Sequence, residues 1–137
     1  AGHPEFKMLE SQAAQAWSTA EAMNIMDSFM SKYPEIDAVY CHWDIGVAAA
    51  MQAAEAAGRA DDIIFLGVDG VQAALDAIKS GGPFKSTALQ DFDLASTAQT
   101  MATLACLNGD GDKLQKDLYV DFVCITQGNA SDFEVGW

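Results

Sequence analysis

Six side chains have the types and the settings to hold a small solute: Trp17, His42, Trp43, Asp44, Asp69 and Gln90. Asp69 is the most telling. It ends the run Asp61-Asp62-Ile63-Ile64-Phe65-Leu66-Gly67-Val68-Asp69-Gly70, where apolar residues follow one another without alternation and stop at a Gly-x-Asp-Gly turn. A strand apolar on both faces belongs inside a parallel sheet, and open α/β sheets bind ligands beyond the carboxyl ends of their strands. An ionised aspartate there only accepts hydrogen bonds, which suits a polyhydroxylated or cationic small molecule. Gln90, closing a later strand-like segment, supplies both donor and acceptor. Trp17 and Trp43 offer flat apolar faces of the kind that pack on the C–H side of a ring.

Each residue also has a competing structural role. Trp17 can fill core beside its helix, Asp69 can cap a helix beginning at Val71, and Gln90 can be a solvated loop amide. Trp43 stands in Cys41-His42-Trp43-Asp44, between strand and helix, where a large aromatic has no packing obligation; a binding role is favoured there. Asp44 reads first as the N-cap of the alanine-rich stretch behind it and only second as a ligand contact. His42 reads as structural, with a tuning role second. A catalytic inventory fails: there is no nucleophile elbow, no phosphate loop and no supported cysteine–histidine arrangement. His3 and His42 do not make a metal set. The Asn-Gly-Asp-Gly-Asp run at 108–112 lacks the spacing and terminal glutamate of a calcium loop. No cofactor, no metal and no enzymatic activity are expected.

The elements that must position these groups alternate strand and helix. Residues 6–11 read as a short strand. Ala22, Met26, Phe29, Met30 and Tyr33 recur at helical spacing, with Ser18 and Glu21 as a capping box and Pro34 as the stop. Residues 36–41 form the second strand, and 45–57 a helix of high propensity closed by Gly58. The strand at 63–68 precedes a helix carrying Val71, Ala74, Leu75 and Ile78, ended by Gly81-Gly82-Pro83. Residues 85–90 are a fourth strand. Leu94, Ala98, Met101 and Ala105 mark a fourth helix, and 119–126 a last strand before a polar tail. The order implies a doubly wound parallel sheet with right-handed crossovers. The ends of three strands then converge on one edge: the residues after Cys41, Asp69 and Gln90.

Composition narrows the partners. Seven basic against twenty acidic residues in 137 leave a formal charge of −13, which repels phosphate backbones, so no nucleic acid is expected. Cys41, Cys106 and Cys124 are an odd count without metal spacing and read as small buried apolar residues, with one disulfide left open. No apolar run approaches bilayer-spanning length. The chain opens Ala1-Gly2-His3 and reads as processed, or cut from something longer.

Taken together, "IDAVYCHWD", "AAMQAAEAAGR", "DDIIFLGVDG", "ALDAIKSG", "STALQD" and "YVDFVCIT" resemble the C-terminal half of type I periplasmic sugar-binding proteins, the ribose-, galactose- and xylose-type receptors of ABC transporters. The resemblance runs from about Phe6 to Asn129. It implies that Trp17 stacks on the sugar, that Asp69 bonds adjacent hydroxyls and that Gln90 lies at a hinge crossing. The family usually carries Asn-Asp where this chain has Trp43-Asp44, so the resemblance implies a ligand less polar, larger or differently hydroxylated than ribose or galactose.

The same resemblance implies an incomplete lobe. Residues 1–91 would be part of a C-terminal lobe, 92–116 a segment of the other lobe, and 117–137 the return strand and tail. The first strand and helix of the lobe would be missing, and that strand is normally central. The expected fold is therefore α/β, a three-layer, flavodoxin-like lobe, incomplete as it stands. The expected function is capture of a sugar or polyol-like ligand for an ABC permease by lobe closure, in the periplasm or outside the cell, with a lipid anchor on the parent as an option. The implied protein partner is the N-terminal half or a second copy of this chain. The alternative is the effector core of a lactose-repressor-type regulator.

Overall fold

The computed structural model describes residues 3, 5–117 and 119–135. Four helices and four strands follow in the order α1 (Thr19–Lys32), β1 (Ala38–Tyr40), α2 (Asp44–Ala56), β2 (Ile64–Asp69), α3 (Gln72–Ser80), β3 (Phe84–Leu89), α4 (Phe92–Leu107) and β4 (Val123–Thr126). The sheet order is β1-β2-β3-β4. β1, β2 and β3 are parallel, as the alternation of strand and helix requires. β4 departs from the expectation of a wholly parallel sheet. It pairs antiparallel with β3, because α4 and the long connection after it bring the chain back from the opposite direction.

Two crossovers in the same direction along the sheet place α2 and α3 over one face. Phe65, Gly67, Thr87 and Ile125 point into that face and are buried. They meet Val47, Ala50, Ala53 and Ala54 of α2 and Leu75 and Ile78 of α3 in one core, which Met26 of α1 completes. The other face is thinly covered. Ile64 is 46% exposed there, so β2 is apolar on both sides but buried on only one.

The α1–α2 packing follows from side-chain size. Alanines at 49, 50, 53 and 54 let the two helix backbones approach closely. Ser18 caps α1, its Oγ accepting the Glu21 N–H at 3.3 Å, while the Glu21 carboxylate reaches back to the Gln15 N–H. At the other end Arg59 donates to the carbonyls of Met30 (3.0 Å), Tyr33 (3.2 Å) and Pro34 (2.8 Å), satisfying acceptors that a helix terminus leaves open.

The strand expected at 6–11 does not form. No described strand lies beside it to accept its backbone groups, so it runs over the surface, tied by Lys32–Glu10 (2.6 Å) and by Tyr33 Oη donating to Glu10 (2.8 Å). The strands expected at 36–41 and 119–126 are shortened to β1 and β4. The cysteine expectation is corrected too: Cys41 is half-buried, Cys106 and Cys124 are exposed, and all three thiols are free. Ala1, Gly2 and the end of the tail (Gly136, Trp137) lie outside the described residues.

Candidate functional site

The carboxyl ends of β1, β2 and β3 do converge. β1 runs out at Cys41, whose N–H bonds the Leu66 carbonyl at 3.0 Å, and Trp43 follows as the extended residue before α2 (φ −152°, ψ 144°). Its indole folds back onto the first turn of its own helix. A Cβ at residue 46 would collide with the ring, so Gly46 makes room for it. Trp17 meets Trp43 edge to face, centroids 5.3 Å apart at 87°. Trp17 is 67% exposed, which removes its role as core filler. It is presented by two consecutive residues in the left-handed region, Ala16 (φ 51°) and Trp17 (φ 56°), a conformation that costs a side-chain-bearing residue about 1–2 kcal/mol. Strain of this kind gathers where a group must be held in one pose.

Asp69 and Gln90 form the polar half. Gln90 Nε2 donates to Asp69 Oδ1 at 2.7 Å, and the Gln90 main-chain N–H bonds the Asp69 carbonyl at 3.1 Å. The main-chain N–H of Asp44 is close enough to the Asp69 carboxylate to favour its charged form. Partial burial pushes the Asp69 carboxyl above its ordinary value, while the Asp44 N–H and Gln90 pull the other way. Asp69 does not cap α3; Val71 stands at that position without a side-chain bond. Two pairs result, Trp17–Trp43 and Asp69–Gln90.

Asp44 departs from its expected place. Asp44 is not the N-cap of α2; Trp43 holds that position, and Asp44 is the first helical residue, 2% exposed. Its Oδ2 accepts from the main-chain N–H groups of Gly70 (2.8 Å) and Val71 (3.0 Å), and its Oδ1 from Thr87 Oγ1 (2.7 Å). Burial raises its pKa; the three donors oppose that shift, and the nearby Asp69 charge adds to it. His42 is exposed and meets Tyr40 edge to face, centroids 5.1 Å apart, which fits its structural reading.

Sequence reasoning missed Thr87, Gly67 and Gly46. The signal was a glycine in the middle of a buried strand: a Cβ at residue 67 would collide with the Asp44 carboxylate, and interior strand glycines mark such close approaches. Among the described residues no group of three His, Cys, Asp or Glu side chains could hold a metal ion. At 108–113 the acidic turn closes on Lys113–Asp110 at 2.7 Å. No helix is long and apolar enough to cross a membrane among the described residues.

The ends of the strands thus carry a carboxylate–amide pair, with an edge-to-face indole pair nearby, the mix of apolar faces and directed polar groups that small-solute pockets use. Residues 1–111 match the periplasmic binding protein domain, and this chain belongs to that family. It is 36% identical over 129 residues to the D-apiose import binding protein of Actinobacillus succinogenes, covering 93% of this chain and 41% of that protein. It is 33% identical over 133 residues to the xylitol-binding protein of Mycolicibacterium smegmatis, covering 95% and 36%. Its fold superposes with a TM-score of 0.81 on an ABC transporter periplasmic solute-binding protein of Actinobacillus succinogenes with bound D-allose, at 25% identity, covering 95% of this chain and 45% of that one. The chain thus spans about two fifths of the length of the curated relatives it matches.

Proposed function

We propose that this chain is the larger part of the C-terminal lobe of an extracytoplasmic solute-binding protein that captures a sugar or polyol for an ABC importer. The observation that carries the reading is two side-chain pairs, apolar at Trp17–Trp43 and polar at Asp69–Gln90. A polyol needs both: apolar faces for its C–H groups and directional acceptors for adjacent hydroxyls. The relatives named for apiose and xylitol favour a small pentose or pentitol, and those named for import and transport favour this reading over a regulator. No bond is made or broken; capture is by closure of two lobes around the solute, in the periplasm. A lipid anchor on the full-length parent belongs to the same proposal.

Residues 92–116 are proposed to belong to the second lobe, and α4 supports this, since none of its residues is buried. Its partner surface would be the N-terminal half of the receptor or a second copy of the chain. The test is isothermal titration with xylitol, D-apiose and D-allose. Asp69→Ala and Trp17→Ala are each expected to weaken binding by about 1–3 kcal/mol. Unchanged affinity in both variants would place the solute elsewhere.

A further inference from the structure

Residue 44 holds the turn that follows residue 69. Its carboxylate binds the two amides after Asp69, those of Gly70 and Val71. The other oxygen is fixed by Thr87 on β3, and the side chain passes over Gly67, where no Cβ would fit. Asp69 itself has φ 121°, in the half of conformational space that favours glycine, and Gly70 (φ 80°) leaves no space for a Cβ beside Leu89. A turn in that conformation persists only when its surroundings over-determine it. The grip on residue 44 is what over-determines it here.

We propose that Asp44 is the positioning residue of the site: a buried clasp, never touching solute, that aims the Asp69 carboxylate and keeps it beside Gln90. This rests on the reading of Asp69 as a hydroxyl acceptor. The clasp needs an acceptor for two amides and a partner for one hydroxyl; it does not need a charge. Asparagine meets that need, with its carbonyl oxygen on Gly70 and Val71 and its amide donating to Thr87 Oγ1. Alanine leaves three buried donors without an acceptor and frees the turn.

The test uses the 137-residue chain, isotope-labelled, with xylitol as the probe, and compares Asp44→Ala, Asp44→Asn, Asp69→Asn and Ile78→Ala. Ile78 lies in the core under α3, so its variant loses stability without touching the clasp. In the absence of xylitol the Gln90 side-chain amide resonances are expected to move in Asp44→Ala as they do in Asp69→Asn, and to stay in place in Asp44→Asn and Ile78→Ala. With xylitol, Kd is expected to rise about tenfold in Asp44→Ala and to stay within about twofold in Asp44→Asn and Ile78→Ala, measured where all are folded. Should Asp44→Ala not fold, Thr87→Val removes one arm of the clasp at nearly constant volume and is expected to move the same resonances less. Asp44→Ala, or Thr87→Val in its place, with Gln90 resonances and affinity unchanged would overturn the clasp. Asp69→Asn binding xylitol as well as the unsubstituted chain would instead overturn the assigned pocket, and the Gln90 resonances would still decide the clasp on their own.

Discussion

Two helices of this molecule, α2 and α4, are both rich in alanine and other apolar residues, yet they lead opposite lives. α2 buries seven residues between the sheet and α1; α4 buries none, and Phe92, Leu94, Met101, Leu104 and Leu107 all face outward. Local composition therefore says that a helix forms, not that it is packed. Packing depends on a second surface being present; α2 lies between the sheet and α1, while no residue of α4 is buried. A mostly uncovered apolar helix of this length is a mark of an interaction surface.

The contrast can be broken most forcefully at its buried end. Val47→Asp places an unpaired charge in the α2 core and is expected to cost more than about 3 kcal/mol, seen as loss of cooperative unfolding in urea. Next comes Gly46→Ala, whose methyl group must displace the Trp43 indole; overpacking of this kind costs about 1–3 kcal/mol, and the crystal structure of the variant should show the Trp17–Trp43 pair broken.

A smaller effect is expected from pH. The carboxyls of Asp44 and Asp69 both titrate above the ordinary value of 3.8 in the folded chain, chiefly because burial disfavours their charge. The folded state then holds protons that the unfolded chain has released, so these groups stabilise most below that value. Their contribution fades as pH rises through the raised folded values. Urea melts across that window should show the slope in the unsubstituted chain and a shallower one in Asp44→Asn.

The smallest effect on stability belongs to α4. Leu104→Glu is expected to change unfolding free energy by no more than about 0.5 kcal/mol, since the side chain is 49% exposed and not part of the core. Its consequence should lie in association instead: light scattering is expected to give a mass above one chain for the unsubstituted protein and closer to one chain for the variant. A single-chain mass for both would mean that α4 tolerates water unaided.

The parallel part of the sheet was legible because its rules are local. The unbroken apolar run at 63–68, the stop at Gly81-Gly82-Pro83 and the Ser18–Glu21 cap each carry their own signal, and α1, α2, β2 and α3 follow within a residue or two. What failed to show was whatever depends on a neighbour. Residues 6–11 have strand-like composition but nothing to pair with, and the direction of β4 is set by the path of α4. At the candidate site, Trp43, Asp69 and Gln90 stand at strand ends as their sequence setting suggested, whereas Trp17 is held by a turn before α1 and follows no strand. The task of Asp44 was not legible, because an acidic residue before an alanine-rich helix looks like a cap, and only the glycine at 67 hinted that its side chain turns inward.

The perpendicular indoles of Trp17 and Trp43 carry one more consequence. At a centroid separation of 5.3 Å their electronic transitions are close enough to couple, so their contribution to ultraviolet circular dichroism depends on the angle between them. Anything that tilts one ring changes that signal, so the pair reports on its own geometry with no dye attached.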